Sequence, residues 1–386
     1  MAKPKIAVFF GTRPEAIKLA PVVKALAADS RFELLSVSTG QHREMLDQVI
    51  DVFDLPVHHD LRVMQSGQTL AELSARLMTS VDGILETEKP EFVVVQGDTT
   101  TVLMASLACF YRRISCGHVE AGLRTGNFES PFPEEANRVL TTKLSALHFP
   151  PTSLSQGNLI REGIAAERIV VTGNTVIDAL HLEVAKQNVQ AIQSDIDSEL
   201  GVHLPADWRS KRFVLITGHR RESFGDGFES ICESIVILAA RYPDVRFVYP
   251  VHLNPNVREP VERTLGRLDN VYLLPPLSYR PFVALMQACY LVLTDSGGVQ
   301  EEAPGLGKPV LVMRETTERP EGLDAGTVRL IGPVRDKIVQ GVSELLDDPE
   351  IYGAMARARN PYGDGRASGR IVHAIAKYLE MTSSRG

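Results

Sequence analysis

Three short stretches set acidic side chains directly behind runs of apolar, strand-forming residues. "QGDTTT" puts Asp98 after "FVVVQG" (92–97), "GHVEAGLRTG" puts Glu120 after "ISCGHV" (114–119), and "SPFPEEANR" sets Glu134 beside Glu135 just after Pro133. An ionised carboxylate so close to an apolar strand is either paired or functional, because an isolated charge in an apolar setting is costly. Carboxylates crowded together raise one another's pKa, which suits groups that take and return protons near neutrality. Plainer roles stand beside this one. Asp98 is well placed as a helix N-cap, and acids in a first turn favour the positive end of the helix dipole. Glu134 and Glu135 point about 100° apart on a helix, so they cannot easily share one task.

The second half carries a different chemistry. "LVLTDSGGVQEE" runs from strand through Ser296, Gly297 and Gly298 into a helix. Small residues there let a ligand approach the backbone, and a helix N-terminus offers unpaired N–H groups to a pyrophosphate. It is not a Walker loop, whose lysine and spacing are missing. Glu302, one turn on, is placed to accept both hydroxyls of a ribose, while Glu301 reads as solvated. His219 and Arg220 in "HRRE" and His252 in "YPVHLNP" follow strand ends. A histidine on an apolar face is more often a satisfied core group, so both readings stand. Arg314 and Arg319 in "MRETTERPEG" offer guanidinium forks suited to phosphate. Near the N-terminus, "GTRPEAIK" lacks the G-x-G-x-x-G of a dinucleotide site. Arg13 and Lys18 there either meet a phosphate at the helix mouth or are solvated surface cations. A nucleotide diphosphate joined to something neutral fits cations and amides on both sides with carboxylates on one.

These residues need elements to position them. Strand patterns fall at 5–10, 32–39, 92–97, 114–119, 147–151 and 169–173, then at 212–218, 245–251, 271–276, 291–295 and 309–313. Segments of helical spacing lie between most of them. Continuous apolar strands with helical crossovers imply parallel sheets covered on both faces. The stretch 184–211 has no strand signal and breaks the rhythm. The expected fold is therefore α/β, with two doubly wound domains at 1–184 and 185–365 and a last helix within 366–386. Open parallel sheets bind ligands beyond the carboxyl ends of their strands, where the strand order reverses. Two such domains facing each other form one central cleft, and the candidate residues all follow strands.

Composition narrows the classes. A chain of 386 residues exceeds one ordinary core. Its net charge of −7 comes without a basic run able to follow a nucleic-acid backbone. Four cysteines, Cys109, Cys116, Cys232 and Cys289, lie in apolar contexts without metal-ligand or disulfide spacing. No apolar run approaches the roughly 18 residues of a membrane span, and no signal peptide is evident, so the cytoplasm is the default compartment.

Taken together, "FGTRPEAIK", "TGQHREMLDQV", "GDTTT", "GHVEAGLRTG", "PFPEEANR", "VTGNTVIDAL", "HRRE", "YPVHLNP", "LTDSGGVQEEAP" and "TERPEG" resemble the bacterial, non-hydrolysing UDP-N-acetylglucosamine 2-epimerase family, in order and over nearly the whole chain. The resemblance implies two Rossmann-like domains in the GT-B arrangement, with the last helix crossing back to the first domain. It implies interconversion of UDP-GlcNAc and UDP-ManNAc with no cofactor and no metal, by a cytoplasmic homodimer. By resemblance, Asp98, Glu120 and Glu134 do the proton work and His219 meets the diphosphate, while Arg13, Lys18, Ser296, Gly297, Gly298, Glu302 and Arg319 bind UDP. Gln41, His42, Glu135, Arg220 and His252 match parts of an allosteric pocket that binds a second UDP-GlcNAc in several members. Glu44 and Gly67 depart from some regulated members. The rival readings are a GT-B glycosyltransferase, a hydrolysing 2-epimerase and a catalytically silent nucleotide-sugar sensor.

Overall fold

A computed structural model describes residues 3–40, 43–220 and 224–383; Gln41, His42 and most of "HRRE" beyond Arg220 lie outside it, as do the side chains of 43–45 and 383. The chain divides into two compact units, Met1–Ala179 with Tyr362–Gly386, and Leu180–Pro361. The first edge falls within the helix Thr175–Lys186.

The first unit is built on β1 (Lys5–Phe10), β2 (Glu33–Ser38), β3 (His59–Asp60), β4 (Phe92–Gln96), β5 (Ser115–Val119) and β6 (Leu147–Phe149). They form one parallel sheet in the order β3-β2-β1-β4-β5-β6. Phe92–Val95 and Ile6–Phe10 are fully buried, as strands covered by helices on both faces must be. The order reverses between β1 and β4, and that switch point is where ligands bind in doubly wound sheets.

The second unit repeats the plan. Its strands are β7 (Phe213–Thr217), β8 (Arg246–Pro250), β9 (Val271–Leu274), β10 (Leu291–Thr294), β11 (Val310–Val312) and β12 (Val328–Leu330), ordered β12-β11-β10-β7-β8-β9 and all parallel. The reversal lies between β7 and β10, where Thr217 and Thr294 stand side by side and their hydroxyls bond at 2.5 Å.

Two expectations need correction. The stretch 169–173 is not a strand; it makes a single bridge from Ile169 to His148, and although the Thr172 N–H donates to the Pro150 carbonyl at 3.1 Å, Pro150 and Pro151 have no N–H with which to extend the ladder. Two short strands, β3 and β12, were not anticipated; at two and three residues they are too short for an alternating pattern to register. The stretch 184–211 carries the helix Gln190–Gly201 and buries Trp208. The last helix, Ala367–Ser383, packs against Arg13–Ala28 of the first unit, and Tyr378 reaches Ser115 at 2.9 Å and Phe92 edge-to-face at 5.6 Å. No described helix is long and apolar enough to cross a membrane.

His118 on β5 and His148 on β6 are in register and fully buried. His118 Nε2 donates to the Gly97 carbonyl at 2.7 Å, and neither ring nitrogen of His148 has a partner among the described residues. Burial pushes His118 down to about 4 and His148 down to about 3. Both are neutral in the folded chain and titrate near 6.5 once unfolded. Their contribution is therefore whole above about pH 6.5 and is lost as pH falls toward 4, on the order of a few kcal/mol. Urea midpoints measured between about pH 7.5 and 5 should drop less steeply in His148→Leu than in the native chain; equal slopes would contradict this account.

Candidate active site

In the first unit, a buried capping box builds the turn after β1. Thr12 caps the helix Arg13–Ala28, and Glu15 accepts from the N–H groups of Gly11 (3.1 Å) and Thr12 (2.7 Å) and from the Thr12 hydroxyl (2.7 Å). Its other oxygen accepts from the Thr99 hydroxyl at 2.8 Å, tying the β1 turn to the β4 turn across the switch point. Glu15 was not singled out from sequence, although its T-x-x-E spacing is the signal that finds it.

The plainer role of Asp98 falls to its neighbour. Thr99 caps the helix Thr100–Arg112, which leaves the Asp98 carboxylate to face another element. Arg138 meets it at 2.8 Å, and the Asn137 amide donates to the Asp98 carbonyl at 2.8 Å. Glu134, Asn137 and Arg138 are spaced i, i+3, i+4 on the helix Glu134–Leu144, so one face of that helix serves the β4 turn. Burial raises the Asp98 pKa; Arg138 and Lys18 oppose the rise, while the charges of Glu120 and Glu134 add to it. One oxygen of Glu134 is buried without a hydrogen-bond partner among the described residues. Asp98, Glu120 and Glu134 thus form one charge-coupled cluster at the carboxyl end of the sheet.

Glu120 follows β5 with its backbone in the left-handed region, φ 63°, a conformation costing a residue with a Cβ about 1–2 kcal/mol. Its N–H donates to the Phe149 carbonyl at the end of β6 (3.0 Å), which holds the turn in place. Lys18 Nζ lies 2.5 Å from Glu120 Oε1, Asn174 Nδ2 donates to that oxygen at 3.2 Å, and Gln96 Nε2 donates to Oε2. Lys18, expected at a phosphate, therefore pairs with an acid of this cluster. Arg13 is the first residue of its helix. Glu135 points elsewhere: it is buried, accepts from the N–H groups of Thr125 and Gly126 and approaches Arg138 at 3.4 Å. It also lines an open pocket of about 460 Å³ with Arg124, Phe128, Lys143 and Arg161.

In the second unit, Asp295 organises the switch point. It is 0% exposed, and its Oδ2 accepts from the backbone N–H groups of His219 and Arg220, each at 2.7 Å. Its Oδ1 lies 3.5 Å from His219 Nδ1. His219 stacks on His252 at 5.4 Å, with 12° between the rings. Burial lowers the His219 pKa, with Asp295 opposing and His252 and Arg220 assisting. Asp295 was quoted within its motif but given no role; a carboxylate directly after an apolar strand is the signal that marks it, as it marked Asp98.

Ser296 precedes the six-residue helix Gly297–Glu302 without a side-chain capping bond, and its N–H donates to the Thr294 hydroxyl at 2.9 Å. Glu302 accepts from the Tyr279 hydroxyl at 2.9 Å. Glu301 is not solvated as expected. It is 3% exposed and takes Arg319 Nε at 2.7 Å, because the short helix turns that side inward. Arg319 then lies flat against Gly297, where a Cβ would meet its guanidinium at 2.6 Å. A Cβ on Gly298 beside it would lie 3.9 Å from Glu302 Oε2, and Arg314 is buried after β11.

A doubly wound parallel sheet with coupled carboxylates at its switch point, and a second one with a histidine and a glycine-rich turn at its own, define a two-domain, GT-B-like enzyme. The sequence profile of the UDP-N-acetylglucosamine 2-epimerase family matches residues 24–376. The UDP-N-acetylglucosamine 2-epimerase of Escherichia coli K12 is 56% identical over 372 residues, covering 96% of this chain and 98% of that protein. That of Salmonella typhimurium is 54% identical over 374 residues, covering 97% and 99%. A crystal structure of UDP-GlcNAc 2-epimerase from Neisseria meningitidis bound to UDP-GlcNAc matches with a TM-score of 0.88 and 47% identity, covering 97% of this chain and all of that one. The chain belongs to the UDP-N-acetylglucosamine 2-epimerase family and is an isomerase.

Arg138 is the buried cation between Asp98 and Glu135, and removing one partner of a buried pair strands the other charge. Arg138→Ala should lower unfolding stability by about 3–5 kcal/mol in urea titrations; a loss under about 1 kcal/mol, the scale of an exposed ion pair, would remove Arg138 from this role.

Proposed function

We propose that this protein interconverts UDP-N-acetylglucosamine and UDP-N-acetylmannosamine by eliminating UDP and adding it back. The hydrogen on carbon 2 has no neighbouring carbonyl, so direct deprotonation is too costly. Breaking the bond between the anomeric carbon and the diphosphate oxygen first gives UDP and an oxocarbenium-like sugar, whose carbon 2 hydrogen is now acidic. One carboxylate takes that proton, and the electrons of the C–H bond form the double bond of 2-acetamidoglucal. A second acid protonates carbon 2 from the opposite face while UDP re-adds at carbon 1, inverting the centre. UDP and the sugar rejoin with the carbon 2 proton replaced by one from the second acid, and exchange with solvent returns both carboxyl groups to their starting protonation.

One observation carries this reading: Asp98, Glu120 and Glu134 form a coupled cluster at one switch point, where burial raises the Asp98 pKa above its ordinary value and the charges of Glu120 and Glu134 add to the rise. An enzyme that only transfers sugar to an acceptor has no use for three such acids. Departure of UDP requires stabilisation of developing negative charge. We assign that to His219, held by Asp295, with the Ser296–Gly298 turn and Arg319 at the diphosphate and Glu302 at the ribose. Arg13 and Lys18 supply positive charge near the sugar end. The resemblance further supports a cytoplasmic homodimer.

Proton NMR of UDP-GlcNAc with the pure protein in deuterated water tests the proposal. UDP-ManNAc signals should appear, with deuterium entering carbon 2 of both sugar nucleotides and little free UDP. Conversion without deuterium would exclude proton exchange with solvent, and UDP accumulating at the rate of turnover would mean hydrolysis instead. Asp98→Asn should lower kcat by about 10²–10⁴-fold, the usual scale for a lost general acid or base.

A further inference from the structure

Asn174 begins the helix Thr175–Lys186, a place where an asparagine normally needs no explanation beyond capping. Its side chain does cap: Oδ1 accepts from the Val176 N–H at 3.0 Å. That bond also settles which end of the amide points where, since only the oxygen can accept from a backbone N–H. Nδ2 is therefore the end that faces Glu120, and it donates to Oε1 at 3.2 Å. The same oxygen meets Lys18 Nζ at 2.5 Å. An ammonium has no lone pair to offer, and neither does the fixed amide nitrogen. Both contacts to Oε1 are thus donors that cannot accept a proton.

The asparagine is itself held from the other end of the chain. Its backbone N–H donates to the Tyr362 carbonyl at 2.6 Å, where the C-terminal segment rejoins the first unit. Gly173 and Gly363 let the two backbones cross closely there: a Cβ on Gly173 would lie 3.3 Å from the Gly363 Cα. The Asp178 carboxylate, one turn into the helix, accepts from Ala367 N (3.1 Å) and Ser368 N (2.8 Å) and pins the same junction.

We propose that Asn174 is a positioning residue for proton transfer: together with Lys18 it aims the Glu120 carboxylate and keeps Oε1 an acceptor in the resting enzyme, while the Tyr362 crossing holds Asn174 in place. This assignment rests on the epimerase reading and adds a role to a residue that does not touch the reacting carbon. Glu120 is then the group that receives the carbon 2 proton, and Asp98 or Glu134 the group that supplies one to the other face.

Asn174→Asp separates this role from capping. Aspartate is as good a cap as asparagine, so the Val176 bond survives, but the donor to Glu120 becomes a second carboxylate. In the full-length protein, Asn174→Asp should fold, at some cost in thermal midpoint from the added buried charge, and keep its affinity for UDP. Its kcat in both directions should fall about 100-fold with KM changed less than about threefold, the scale expected when a reacting group is misplaced. If that variant does not fold, Asn174→Ser, which keeps a capping hydroxyl but is too short to reach Glu120, should show the same selective loss in kcat. A kcat within about threefold of the native enzyme in the folded variant would overturn the proposal. An equal loss in kcat and in UDP affinity would reduce Asn174 to a structural role and overturn it as well. Failure of the native protein to convert UDP-GlcNAc would instead strike the epimerase reading itself.

Discussion

The arrangement depends on holding several carboxyl groups at the dry end of a parallel sheet. Removing a carboxylate from water is expensive unless donors replace the lost solvent. The first unit supplies those donors one acid at a time. Lys18, Asn174 and Gln96 serve Glu120, Arg138 serves Asp98, and backbone N–H groups serve Glu135 and Glu15. Glu134 keeps a buried oxygen without such a partner among the described residues. Neighbouring acids thus sit in different polar surroundings, each with its own set of donors.

The second unit solves the same problem with one acid. Asp295 is buried at the β10 terminus, where one oxygen accepts from the N–H groups of His219 and Arg220 and the other lies 3.5 Å from the His219 ring. A buried carboxylate there fixes the backbone of the turn after β7 that carries His219. The Glu301–Arg319 pair beside it works in the same sense, since the guanidinium is laid along Gly297 by a carboxylate behind it. In both units the switch point of the sheet is where strand ends part and leave room for polar side chains, and in both the groups nearest that gap are the ones with chemistry to do.

Much of this was legible in the sequence. The parallel doubly wound plan follows from continuous apolar strands separated by helical spacing, because strands buried on both faces leave no alternation. The positions of Asp98, Glu120 and His219 close behind strands, and of Glu134 at a helix start, mark them as candidates for a strand-end site. Glu15 and Asp295 left usable signals, a capping-box spacing and an acid behind an apolar run. Asn174 left none, because an asparagine at a helix start is ordinary. Glu301 misled, because adjacent glutamates at the end of a short helix look solvated until a distant arginine is seen to fold against one of them.

What the chain by itself determined is the local part: which segments are strands and helices, where caps fall, and which chemical groups stand at strand ends, since each depends on residues a few positions apart. What only the tertiary structure decided is who partners whom. Thr99 rather than Asp98 caps its helix, Lys18 pairs with an acid, Glu135 turns inward to a loop, and Tyr362 comes back to hold Asn174. These choices turn on contacts between residues as much as 188 positions apart in the Asn174–Tyr362 bond (362 − 174), and on how completely water is excluded from each. The proton affinity of a buried acid is set by those distant neighbours, so the sequence marks candidate acids but not the partners that tune them.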